Sequence, residues 1–213
     1  MISTGLLLLA SLFPAAQAQV VPAASVAAKF LLTTSTSFPF PTATLSASQA
    51  QSFIANNWGL SKGKFQNGDN DTAFVSDPFS NNNVPVNPSN TTGPVLQITY
   101  PQGSYNNKMP GGSQFYAPFN TSGSSFESMM VSYEVAFDRN FDFVKGGKLP
   151  GLRGGPDPVG CSGGSQSNGT NCYSVRLMWR DNGSGEGGCY VVFFDVIMPY
   201  TKSFSLCVHS SAQ

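Results

Sequence analysis

Met129-Met130-Val131-Ser132-Tyr133-Glu134-Val135-Ala136-Phe137 is the stretch whose periodicity decides the fold class. Met129, Val131, Tyr133, Val135 and Phe137 alternate with Met130, Ser132, Glu134, Ala136 and Asp138, which predicts a strand with one apolar and one mostly polar face. Working outward from it, the chain after Phe65 consists of short apolar runs cut by Gly, Pro and Asn. Ala73 to Val75, Pro94 to Tyr100 and Ser113 to Ala117 each fit one strand, and 22 Gly and 15 Pro supply the turns. The expectation is an all-β chain, a sandwich or jelly roll. One helix stands apart: Ser46 caps it, Gln49 completes a capping box, and Ala47, Ala50 and Ile54 share a face before Asn56-Asn57-Trp58-Gly59 ends it.

The N-terminus carries an apolar run from Leu6 to Phe13 and closes on Ala16-Gln17-Ala18, the composition of a signal peptide over residues 1–18. That run is too short to span a bilayer, so a secreted, extracellular protein with no membrane segment is expected. Residues 19–45, rich in Ser, Thr and Pro towards their end, are expected to form an arm or linker, and 46–187 the sandwich domain. Charged residues make up 10%, with 11 basic and 11 acidic, against about 25% in an average soluble protein. Sequons at Asn70, Asn90, Asn120, Asn168 and Asn182 would restore solubility through glycans. Of the four cysteines, Cys161 and Cys172 bracket a Gly/Ser/Asn-rich loop and are expected to staple it; Cys189 and Cys207 are left as a second pair. Their spacing, with His209 the single histidine, does not suit zinc.

Basic residues concentrate in one place. Lys145, Lys148 and Arg153 fall within nine positions of Phe141-Asp142-Phe143-Val144-Lys145-Gly146-Gly147-Lys148-Leu149-Pro150-Gly151-Leu152-Arg153-Gly154-Gly155, among five glycines. In Cys172-Tyr173-Ser174-Val175-Arg176-Leu177-Met178-Trp179-Arg180, strand alternation sends Ser174, Arg176, Met178 and Arg180 to one face and Tyr173, Val175, Leu177 and Trp179 to the other. Tyr133, Phe137 and Trp179 are assigned to the core. A pocket floored by Lys145, Lys148, Arg153 and Arg176 wants an anion. Nucleic acid is a poor fit because the net charge is zero, and Gly-Gly-Lys-Leu-Pro lacks phosphate-loop spacing.

A carboxylate remains, and a secreted sandwich points to a uronic acid polymer. Such polymers are cut by β-elimination, which needs a cation on the carboxylate, a base for the carbon 5 proton and an acid for the departing oxygen. Arg176 suits the carboxylate as a fork, and crowding by other cations makes a lysine a usable base. Hydrolysis would need two positioned carboxylates; Glu134, Asp138 and Asp142 are available, but no spacing singles out a pair.

Lys-Gly-Gly-Lys-Leu-Pro-Gly-Leu followed by Cys-x-Ser-x-Arg-Leu-Met-Trp-Arg resembles polysaccharide lyase family 14, the alginate and glucuronan lyases. The resemblance runs from about Trp58 to Gly187 and includes Gly111-Gly112-Ser113-Gln114-Phe115-Tyr116. It implies a concanavalin-like β-jelly roll, no cofactor and no metal, a monomer acting on an anionic polysaccharide, and catalytic roles for Lys148, Ser174 and Arg176. Lys145, the other choice for that lysine, is assigned with Arg153, Arg180, Gln114 and Tyr116 to substrate binding, Arg153 and Arg180 as rim charges and not catalytic ones. After Gly183-Ser184-Gly185-Glu186 the family continues with a Tyr-x-Tyr strand bearing its acid/base tyrosines, where this chain has Tyr190 followed by Val191-Val192. Tyr190 is the candidate that stands in. Residues 188–213 are therefore expected to lie outside the family pattern, as a truncated or mis-spliced tail or as a short variant, with a non-catalytic glycan-binding form as the alternative function.

Overall fold

The computed structural model describes residues 21–60, 67–78, 93–106, 108–117, 128–138, 141–143, 146–157, 161, 167–168, 170–181, 185–188 and 201–209. The last two segments are described by their backbone. The chain is β-rich, with helices α1 (Ala23–Lys29) and α2 (Ala47–Asn57) and strands β1 (Thr72–Val75), β2 (Val95–Ile98), β3 (Ser128–Ala136), β4 (Gly147–Gly154), β5 (Tyr173–Trp179), β6 (Gly185–Gly188) and β7 (Thr201–His209).

Helix α2 starts where the capping pattern places it, the Ser46 backbone N–H donating to Gln49 Oε1 at 2.9 Å. Its inward stripe, Ala50 and Ile54, is fully buried beside Phe74 of β1, and each large side chain removed from water there contributes roughly 1.5–3 kcal/mol. Trp58 caps the helix, and its indole N–H donates to the Pro39 carbonyl at 2.7 Å. Phe38 and Phe40 lie against the same indole, and Leu45 bridges to Phe74. The end of the Ser/Thr/Pro-rich arm is thus packed on α2 and β1. Helix α1, earlier in the arm, was not expected from the sequence; it buries none of its residues.

β1 and β2 pair antiparallel from Thr72↔Ile98 to Val75↔Val95. The strand expected over 113–117 reduces to a single bridge, Gln114↔Asn67, because the partner segment turns at Gly68 into the 3-10 turn Asp69–Asp71. The strand read from Met129 to Phe137 is β3, and it pairs antiparallel with β7 over nine residues, from Ser128↔His209 to Ala136↔Thr201. β7 lies within the tail 188–213. β4, β5 and β6 form a third antiparallel sheet in that order.

The apolar face of β3 packs onto this third sheet. Met129 and Val131 pack on Leu152 and Val175, and Tyr133 and Val135 on Leu177 and Leu149. At the end of β5, Trp179 sits edge-on to Phe137, Phe141 and Tyr100, with ring centroids 5.4, 5.8 and 5.5 Å away, the geometry aromatic rings prefer. These contacts put Tyr133, Phe137 and Trp179 in the core, as read.

Candidate active site

The two faces of β5 differ as the alternation requires. Val175, Leu177 and Trp179 are buried, whereas Ser174, Arg176 and Met178 are half-buried on the side away from β3. β4 brings its own residues to that open face through a bulge. Lys148 pairs with Met178 and Gly151 with Arg176, so β4 spends one residue more than β5 between the two pairs. Pro150, which has no N–H for a ladder, falls in the bulge, and the Tyr133 hydroxyl donates to its carbonyl at 2.9 Å from the core side. The extra residue lets Leu149 turn inward while Lys148, Gly151 and Arg153 share a face with Ser174, Arg176 and Met178. Gly151 is needed there, because a Cβ would lie 2.0 Å from the Val175 carbonyl oxygen and 2.6 Å from the Arg176 Cα.

Five of the sequence-read residues join into one chain of contacts. The Arg176 Nη2 donates to Ser174 Oγ. Arg153 is the register partner of Ser174; its Nη2 donates to the Asp157 carbonyl at 3.2 Å, and its Cζ stands 5.2 Å from the centroid of the Tyr116 ring, within cation–π range. The Tyr116 hydroxyl accepts from Gln114 Nε2 at 3.0 Å. Gln114, Tyr116, Arg153, Ser174 and Arg176 therefore line one surface. Lys148 is exposed on the same face, two residues along the strand from the Gly151–Arg176 pair in β5 register, a step of about 7 Å. Arg180 is exposed just past the end of β5. Lys145 and Tyr190 lie outside the described residues.

The Cys161–Cys172 bridge forms, with Cα atoms 5.9 Å apart. Cys189 lies outside the described residues, as do the signal segment 1–18, Val191–Ile197 and the sequons at Asn90, Asn120 and Asn182. Two structural neighbours of the site carried no weight in the sequence. Asn171 Nδ2 donates to Asp157 Oδ2 at 3.3 Å, and the Asp157 N–H donates to the Asn171 carbonyl at 3.0 Å. The sole signal there was Asn168-Gly169-Thr170, which read only as a sequon.

The face therefore gathers guanidinium groups held by a hydroxyl and an aromatic ring beside an exposed lysine, groups whose chemistry suits a carboxylate. The family model for polysaccharide lyase 14 matches residues 88–207, a span that contains every strand from β2 to β6 and most of β7. The chain belongs to polysaccharide lyase family 14. No curated protein matches it. A crystal structure of the marine PL-14 alginate lyase from Aplysia kurodai is similar at 25% identity with a TM-score of 0.56, over 82% of this chain and 73% of that one. This family 14 chain is thus a polysaccharide lyase, and family membership implies an anionic polysaccharide as its substrate.

Proposed function

We propose that the protein is a secreted lyase that cleaves a uronic-acid polymer of the glucuronan or alginate type by β-elimination, on a jelly-roll scaffold built from the two packed sheets. The observation that carries this reading is the continuous face on which Lys148 stands beside Ser174-bound Arg176 and Tyr116-stacked Arg153. Arg176 takes the uronate carboxylate, and Ser174 Oγ orients its guanidinium. Neutralising that carboxylate acidifies the proton on carbon 5. Lys148 removes it, the electron pair forms the bond between carbons 4 and 5, and the bond from carbon 4 to the glycosidic oxygen breaks. The departing oxygen takes up a proton, from Tyr190 in the role the family gives its tyrosines. Arg153, Tyr116 and Gln114 hold a neighbouring sugar, Arg180 extends the basic rim, and Lys145 is assigned to substrate binding by its place in the motif alone.

The test is to incubate the purified protein with glucuronan, alginate and a neutral glucan while recording ultraviolet absorbance. Elimination produces an unsaturated uronate and a rising absorbance with the acidic polymers alone. Binding without any rise, or cleavage to saturated ends, would overturn the reading.

A further inference from the structure

Resting on the site proposed above, we infer that Asn171 is a positioning residue that sets Arg153 for substrate binding by clamping Asp157. The Arg153 guanidinium is held in part by the main-chain carbonyl of Asp157, four residues on, so the place of that carbonyl contributes to where the guanidinium stands. Asp157 lies past the end of β4, beyond Gly154, Gly155 and Pro156, where the ladder to β5 no longer constrains it. Asn171 supplies the constraint from both directions. Its carbonyl accepts the Asp157 N–H at 3.0 Å, and its Nδ2 donates to Asp157 Oδ2 at 3.3 Å.

The amide of Asn171 is itself fixed. Its Oδ1 accepts from Ser167 Oγ at 3.1 Å and from the Asn168 N–H at 2.9 Å, which leaves its NH₂ group directed at Asp157. Asn168 Oδ1 in turn accepts the Thr170 and Asn171 N–H groups, both at 3.0 Å, and the next residue, Cys172, is tied to Cys161. The turn between Arg153 and Asp157 is shaped to this partner. Gly155 has φ +111°, and a Cβ there would stand 2.5 Å from the Asn171 carbonyl oxygen, so only glycine lets the two segments meet. A chain of fixed groups therefore runs from the disulfide through Asn171 and Asp157 to the cation stacked on Tyr116. Truncating Asn171 removes one donor from the Asp157 carboxylate and loosens the Arg153 contact without touching Lys148, Ser174 or Arg176.

The experiment compares steady-state kinetics on an acidic polymer for the wild type, Arg153→Ala, Asn171→Ala and the double variant, with thermal melts alongside. Arg153→Ala is expected to raise KM, and Asn171→Ala to raise it about threefold to tenfold while kcat stays within about twofold. In the double variant the two effects should not add, because Asn171 acts through a side chain that is no longer present. An additive double variant, an unchanged KM in Asn171→Ala, or a fall in kcat that tracks a lowered melting temperature would overturn the positioning role. No effect of Arg153→Ala in an active enzyme would instead remove Arg153 from the substrate site, and the inference would fall with it.

Discussion

At the scale of single residues, Tyr133 does two jobs that the alternation pattern could not separate. Its ring is part of the core with Leu177, while its hydroxyl reaches the Pro150 carbonyl inside the β4 bulge. The pattern reported the ring, since periodicity tracks hydrophobicity and not hydrogen bonds. Burial pushes the Tyr133 phenol above the ordinary tyrosine value near 10. The folded state then keeps a proton that the unfolded chain releases. This contribution to stability is complete below pH 10 and is lost as pH rises from there towards the folded value. Tyr133→Phe should cost about 1 kcal/mol at neutral pH by leaving the Pro150 carbonyl without its donor. The gap to wild type should narrow above pH 10, and urea denaturation on both sides of that pH would show it. A gap that widens with pH would contradict the assignment. Ser174 and Arg176 were legible at this scale because their neighbours at every second position are apolar.

At the scale of elements, the hairpin of β4 and β5 carries the site, and its long connection is where the sequence was least informative. Lys148 and Arg153 are five residues apart, an odd spacing that would put them on opposite faces of a regular strand. The bulge at Pro150 reverses that parity, and a proline inside a strand pattern was the available sign of it. The helix α2 was legible to within a residue because a capping box and an inward stripe agree. The strand expected at 113–117 was not, because pairing depends on a partner segment that turns away at Gly68. The loop staple was read correctly from the two cysteines flanking a flexible composition. Replacing Cys161 and Cys172 by Ser should lower stability by about 2–3 kcal/mol for a loop of this length. Denaturant melts measure the loss, and equal stability of the oxidised and serine forms would show that the bridge does not constrain the unfolded chain.

At the scale of the whole molecule, the sheet of β4, β5 and β6 packs on β3 with one face and, with the other, brings Lys148, Arg153 and Arg176 together. Composition announced the β-rich class and the concentration of Lys and Arg, yet it held nothing about how the segments around Tyr116 and Asp157 come to flank Arg153. The Tyr116 contact joins residues 37 positions apart, and the Asp157 turn is held by Asn171, 14 positions on; both depend on chain topology, which local patterns do not encode. The most direct test of the central claim, that this face performs elimination, is the turnover of Lys148→Ala. Lys148 is exposed on β4 and belongs to none of the hydrophobic clusters of the described residues, so the variant should fold and bind acidic polymer as the wild type does. Its rate of unsaturated-product release should fall by at least about 10²-fold, the loss expected when a proton-transfer group is removed. A Lys148→Ala protein with the same melting temperature and undiminished ultraviolet product would contradict the account.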